Sequence, residues 1–407
     1  MKKVAIKKFT KHQEITEEEE EEYGLEEASL KSILVHLKDL RKVLRHKQEP
    51  GKISLVYMRN YMRLMFIFPR TWKGESLLYR VINKFLMIML IIFTVSITFD
   101  LYEASQDVLQ FGEDLVVLIG IYLIFFKLIL TAYYAQDIEY IICEFAKMHK
   151  YFSQLKRSPK ISHKIPAICL PPILTPNTTP YRAKYPFEWQ SSDEHPIRFA
   201  LVYIFQSLMT LFVLLSILVI DNIGCHIFTQ TTLNLKIFCI LIRDMITQPA
   251  DIALEELHKV IQFHQYIISL ISKINVVYYY NYTAQMAAST FMICLTAFEA
   301  MLAQDQPMLA IKFQIYMFSA FSQLFYWCAT GNMVYYDSLD VADAAYEIDG
   351  WYNQSKEFKY YLRFLIQRAQ TPLVFQPKPL FGFNFETFSS ILSTSYSYFA
   401  LLRTMND

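Results

Sequence analysis

Glycine is scarce in this chain and never clustered: there are nine in 407 residues, and no two lie closer together than Gly112 and Gly120. A GxGxxG dinucleotide fingerprint, a Walker loop, a kinase phosphate loop and a GxSxG nucleophile elbow all need glycines within a few positions of each other. None of them can be written here. Charge is scarce as well. Only 19% of residues are charged against 54% hydrophobic, where soluble domains carry about a quarter charged residues, so the chain is short of the polar surface a soluble enzyme must show. The net charge of +1 lacks the basic excess that neutralises phosphates, which argues against a nucleic-acid partner. Paired cysteines are missing too. Cys143, Cys169, Cys225, Cys239, Cys294 and Cys328 form no CxxC and read as packing residues, not as a disulfide or zinc framework. The histidines are dispersed, and the Glu255 to His264 cluster lacks HExxH spacing, so a solvated helix face is expected there and neither metal nor other cofactor.

What the chain has is long apolar runs. A helix needs about 20 apolar residues to cross a bilayer, with every backbone group satisfied inside it. Six stretches meet or approach this: Leu77 to Phe99, Leu115 to Gln136, Phe199 to Ile220, Ile274 to Phe298, Phe313 to Tyr336 and Thr387 to Leu402. The fold class is therefore all-α, a polytopic, multi-pass membrane helical bundle. Between Arg59 and Lys84 there are six basic residues and one acid, while Phe85 to Glu113 holds four acids and no base. Lys and Arg concentrate on cytoplasmic flanks, which places the amino terminus in the cytoplasm. Lys127 stands past the middle of the second run; it is either a snorkelling lysine or a charge in a pocket or ion path.

The polar remainder falls into segments. Residues 1–76 form a cytoplasmic segment with a solvated acidic run, Glu17 to Glu22, and an amphipathic helical pattern from Leu30 to Leu44. The bundle covers 77–336, including a cytoplasmic interval, 221–273, in which Ile252 to Ile271 repeats apolar residues at three and four. Residues 337–380 read as a helix over Ser338 to Gln370 followed by a hinge at Pro372, Pro377 and Pro379, and 381–407 as the final span. That span is rich in hydroxyls: Ser389, Ser390, Ser393, Thr394, Ser395 and Ser397. Such residues either permit close helix packing or line a hydrated pore.

The carboxyl-terminal third carries a signature. It runs QLFYWCATGN from Gln323, then Ser338, Val341, Ala344, Ala345, Tyr346, Trp351, Tyr352, Arg368, Ala369, Gln370, Pro372 and Leu373, and ends on FETFSSILSTSYSYFALLR, Phe385 to Arg403. Upstream stand YPFEW (Tyr185 to Trp189), Tyr203, Gln206, Asp221 and His226. This order and spacing resembles the insect odorant receptors, seven-span ligand-gated channels. The resemblance implies a tuning subunit that binds a volatile, apolar small molecule in the outer half of the membrane and gates a non-selective cation pore. Its implied partners are the shared odorant co-receptor, in a hetero-tetramer, and membrane lipid. For the ligand pocket it implies Leu118, Ile119, Tyr122, Tyr203, Gln206, Met209, Phe313, Tyr316, Met317 and Phe321, although for any one of them plain helix packing competes. For the pore and its apolar gate it implies Ser397, Leu401 and Met405, the last two sharing a helix face. For the subunit anchor it implies Tyr346, Trp351 and Tyr352.

One departure stands out. Where the family has its third span, the longest charge-free stretch is Ile165 to Tyr181, with five prolines, and such a segment does not cross as a helix. Six spans would put both termini on one side, whereas seven put the carboxyl terminus outside. Either Phe145 to Leu170 re-enters the membrane, or the chain is a shortened form; the shortened form is favoured here. The sequon at Asn177 lies in the expected outer loop. A gustatory receptor of the same superfamily and a truncated non-conducting isoform are the nearest alternatives, and a membrane transporter a distant one, since paired intramembrane acids are not evident.

Overall fold

The computed structural model describes residues 54–68, 77–104, 107–154, 196–247, 250–375 and 382–406. Within them every long element is a helix: α1 (Ser54–Leu64), α2 (Leu77–Glu103), α3 (Val108–Tyr133), α4 (Ala135–Gln154), α5 (Pro196–Arg243), α6 (Ala250–Leu302), α7 (Pro307–Tyr346), α8 (Lys356–Ala369) and α9 (Phe385–Asn406). The all-helical fold class is as expected.

Five of the predicted spans fall each within one of these helices, and Leu115 to Gln136 overruns the end of α3 at Tyr133 into the start of α4; several helices run far past their apolar runs. Phe199 to Ile220 is part of a 48-residue helix and Ile274 to Phe298 of a 53-residue one. At 1.5 Å per residue these are rods of roughly 70 and 80 Å, more than twice the about 30 Å of a bilayer core. The polar interval read as a separate helix, Ile252 to Ile271, is thus a continuation of the span itself. By length and composition Tyr79–Tyr102, Val108–Tyr133, Ile197–Arg243 and Ile252–Asp305 are apolar enough to cross a membrane. Helices α7 and α9 are less apolar, because Gln314, Gln323 and Asn332 on one and a row of serines on the other interrupt their runs.

Cross-helix pairs give each rod its direction. Along α3 and α4 the partners on α6 descend: Gly112 meets Glu299, Lys127 meets Gln285, Asp137 meets Lys273 at 3.3 Å, and Glu144 meets Tyr266. So α6 runs antiparallel to α3. Helix α7 runs parallel to α5, through Gln323 with Asp221, Asp337 with Lys236 at 3.6 Å, and Glu347 with Arg243 at 2.5 Å. Helix α5 runs parallel to α3 and α4, through Asp221 with Lys127 and Asn234 with the Met148 sulfur at 3.7 Å. The bundle has a Glu299 end, where α3, α5 and α7 begin, and a Glu139 end.

Helices α3 and α4 and helix α5 run the same way, so α4 ends toward the Glu139 end and α5 begins at the Glu299 end. Helix α1 packs at the Glu139 end, and α9, antiparallel to α7, finishes toward the Glu299 end. The prolines of Ile165 to Tyr181, Cys169, the Asn177 sequon, YPFEW, Pro377, Pro379, Glu17 to Glu22 and Leu30 to Leu44 lie outside the described residues.

Helix α1 is held by charge. Arg59 Nη1 donates to Glu139 Oε1 at 2.5 Å and Arg63 Nη2 to Oε2 at 3.2 Å, with all three side chains buried. Removing one partner of a buried ion pair strands the others and costs about 3–5 kcal/mol. We therefore expect Glu139→Ala to lower the thermal midpoint of the detergent-solubilised chain steeply, and Glu139→Gln, which keeps one acceptor oxygen, to lower it less.

The stretch Ser338 to Gln370, read as one helix, is a hairpin. Helix α7 ends at Tyr346; Gly350 turns the chain at φ +68, and Ser355 caps α8 by accepting from the Phe358 amide at 3.1 Å. Phe358, Leu362, Leu365 and Ala369 recur at helical spacing and form the buried face of α8.

Candidate ligand pocket and pore helix

The residues expected to line a pocket all stand toward the Glu299 end. On α3, Leu118 is buried and Ile119 half-buried, while Tyr122 is 53% exposed and faces away from the bundle. On α5, Gln206 and Met209 are buried and Tyr203 is half-buried, its ring 6.3 Å from Phe199. On α7, Phe313 is fully buried and Tyr316, Met317 and Phe321 are half-buried. Leu118 and Met209 belong to one apolar core, and Phe321 packs edge-on against Phe388 of α9 at 5.2 Å. Above them, the Glu299 carboxyl occupies the space that a Cβ on Gly112 would need; only glycine admits this approach of α6 to α3.

Directly beyond these positions lies a polar layer that joins four helices. Lys127 of α3 is fully buried, so it does not snorkel. Its Nζ donates to Asp221 of α5 and to Gln285 of α6; Gln323 of α7 donates to the other Asp221 oxygen, and Gln285 Nε2 reaches Ser289 at 3.0 Å. An ammonium away from water is tolerable only with such partners. The signal for this layer was present in the chain: Asp221 is the acid that closes the apolar run Phe199 to Ile220. Gln285 and Gln323 carried no such mark.

One turn closer to the Glu139 end is an aromatic layer. Phe228 stacks on Phe375 with centroids 4.0 Å apart, and Tyr282, Trp327 and Phe383 close around them at 5.1 to 5.6 Å. Two glycines make room. A Cβ on Gly224 would lie 2.2 Å from the Trp327 ring, and one on Gly331 2.3 Å from the Phe383 carbonyl oxygen. The chain leading to α9 is pinned here: Leu373 N donates to Ser338 Oγ at 2.9 Å, Asn275 to the Val374 carbonyl at 3.0 Å, and Phe383 N to the Phe375 carbonyl at 3.1 Å. Asn384 then caps α9 by accepting from Thr387 N at 2.8 Å.

On α9 the two readings of its hydroxyls separate by position. Ser395 is buried, 3.4 Å from the Thr290 carbonyl, and serves close packing. Ser389, Ser390, Ser393, Thr394 and Ser397 are exposed on the far side. Ser393, Thr394 and Ser397 each donate to the carbonyl four residues back, at 2.9 to 3.0 Å, which leaves their oxygen lone pairs outward. Leu401, 56% exposed, continues this face. Met405 lies in the last turn of α9, and its side chain is outside the described residues.

At the Glu139 end the expected anchor aromatics come together. The rings of Tyr346 and Trp351 lie 6.2 Å apart, and those of Trp351 and Tyr352 6.3 Å. Tyr346 and Tyr352 are largely exposed, as are Tyr360 and Phe364 on α8. Among the described residues the cysteines are free thiols held unreactive: Cys225, Cys239, Cys294 and Cys328 are buried, and burial beside the Glu139 carboxylate pushes the Cys143 thiol up to about 11. A chain carrying Cys169→Ser should therefore take up no maleimide at neutral pH until unfolded, which intact-mass measurement reads directly.

A family model described as 7tm Odorant receptor matches residues 165–396. The chain belongs to the odorant receptor family. Odorant receptor 47b of Drosophila melanogaster is 32% identical over 412 residues, covering 93% of this chain and 98% of that protein. Odorant receptor 65a of the same species is 28% identical over 344 residues, covering 78% and 82%. The fold matches the olfactory receptor OR5 from Machilis hrabei in complex with eugenol, with TM-score 0.66 and 13% identity, over 91% of this chain and 99% of that one. The odorant receptor reading thus holds over the gustatory and transporter alternatives: this is a membrane receptor of olfaction and not an enzyme. The alignment to odorant receptor 47b also has a telling length. It spans 412 residues yet uses 93% of a 407-residue chain, so the gaps it opens in this chain add up to more than one crossing helix of about 20 residues.

Proposed function

We propose that this odorant receptor chain is the tuning subunit of a ligand-gated cation channel, assembled with the odorant co-receptor as a hetero-tetramer. The observation that carries this is the outward row of hydroxyls on α9. A helix facing lipid gains nothing from exposed serines, whereas a hydrated pore at the centre of an assembly accepts them. In this reading Ser397 lines the pore and Leu401 and Met405 narrow it. The Glu139 end is cytoplasmic, in keeping with the basic residues around α1, and the carboxyl terminus is outside. The exposed apolar faces of α2 and α5, such as Phe85, Ile92, Phe99, Leu201, Leu208 and Leu215, meet lipid. Tyr346, Trp351 and Tyr352, with Tyr360 and Phe364, meet neighbouring subunits, since exposed aromatics beyond the bilayer favour a protein partner. A volatile, mostly apolar ligand binds among Leu118, Ile119, Tyr203, Gln206, Met209, Phe313, Tyr316, Met317 and Phe321, while Tyr122, turned away from the bundle, stays outside the pocket.

The test is co-expression with the co-receptor in oocytes and current recording over an odorant panel. Odorant-evoked current that needs both chains supports the proposal. A second reading is favoured by the alignment gaps: a receptor one crossing short, with an incomplete pocket, which reaches the surface and stays silent. Silence with normal surface labelling would decide for it.

A further inference from the structure

The aromatic layer holds an imbalance. The hydroxyls of Tyr278 and Tyr282 and the indole N–H of Trp327 are buried and have no partner among the described residues. Tyr278 stacks on Tyr282 at 5.4 Å, so the three polar atoms share one neighbourhood, and it is the one that seats the start of α9. Around it everything else is fastened. Residues 371–375 are tied to α6 and α7, Phe383 closes on Phe375, and the Phe383 backbone lies against Gly331. One turn away, the Lys127, Asp221, Gln285 and Gln323 layer ties α3, α5, α6 and α7 together on the side of the expected ligand pocket.

We propose that this aromatic layer is a two-state seat for the pore helix, in which Tyr278, Tyr282 and Trp327 are positioning residues whose unpaired polar atoms favour departure of α9 from the position seen here. Buried donors without acceptors raise the energy of the packing that strands them, and tightly packed layers rearrange between discrete arrangements instead of deforming smoothly. The fastened neighbours confine that rearrangement to Phe383, Asn384 and the helix they begin. The polar layer above then relays the pocket's packing to the seat, because Gly224, Tyr282 and Trp327 each stand one turn from Asp221, Gln285 and Gln323. This inference rests on the pore reading of α9.

The test uses the full chain with Cys169→Ser and Ser397→Cys, co-expressed with the co-receptor, and the rate at which a water-soluble methanethiosulfonate modifies Cys at 397 without odorant. Tyr278→Phe with Tyr282→Phe removes two oxygens and keeps both rings. We expect it to slow modification by about threefold to tenfold, the shift that one hydrogen bond's net worth produces, at unchanged surface level. Gly331→Ala pushes Phe383 off its seat and should speed modification. Where Gly331→Ala does not reach the surface, the Phe pair alone decides. Equal rates in the Phe pair and the reference would overturn the seat, since a merely structural role moves stability and not this rate. No modification of the surface-labelled reference would instead overturn the pore reading, and the seat with it.

Discussion

Replacing Leu401 and Met405 together by serine is expected to raise current in the absence of odorant at least about tenfold. The two positions stand four apart at the end of α9, on one helix face, and Leu401 is turned away from the bundle. A ring of such side chains closes a narrow pore by excluding water. Each contributes about 1.5–3 kcal/mol of apolar transfer energy, and 1.4 kcal/mol is a factor of about ten in an equilibrium, so losing even part of it opens the constriction. Leu401 makes little contact within its own chain, and the substitution should leave folding and surface level intact. Baseline current indistinguishable from the unsubstituted receptor, at matched surface labelling, would remove the gate from this part of the helix.

The second large effect is expected at Asp221. Asp221→Leu leaves the Lys127 ammonium fully buried with Gln285 as its remaining partner. Breaking a buried pair from one side costs about 3–5 kcal/mol, a large share of the about 5–15 kcal/mol that holds a domain folded. Receptor at the cell surface should fall to near background. Adding Lys127→Met to Asp221→Leu removes the stranded charge and leaves Gln285 and Gln323 to bond each other across the layer, so surface labelling should largely return. If Asp221→Leu alone is tolerated, or the double change is no better than the single, the ion pair does not hold these four helices together.

Much of this protein was readable before any coordinates. Apolar runs marked the spans, since a bilayer demands long charge-free helices, and the row of serines in α9 marked that helix as different from the rest. The terminal motif pointed to the family. Other features had no one-dimensional mark. The lengths of α5 and α6 beyond the membrane were hidden, because a polar helix that continues an apolar one has no breaker at the border. The partition of the hydroxyls, with Ser395 inward and Ser393 and Ser397 outward, depends on which face of α9 meets α6. The hairpin at Gly350 was missed because acids and aromatics continue at helical spacing on both sides of it.

By itself the sequence determined that this is a helical membrane protein without glycine-rich phosphate loops or a GxSxG elbow, since isolated glycines rule those out at any folding, and that it carries an odorant receptor signature. The tertiary structure alone decided what Lys127 does, how far α5 and α6 extend, and how the last helix is seated. The first and last of these depend on which residues of distant helices come to lie at one depth, and helical register brings Lys127, Asp221, Gln285 and Gln323 together from positions far apart in the chain. No local pattern encodes that meeting.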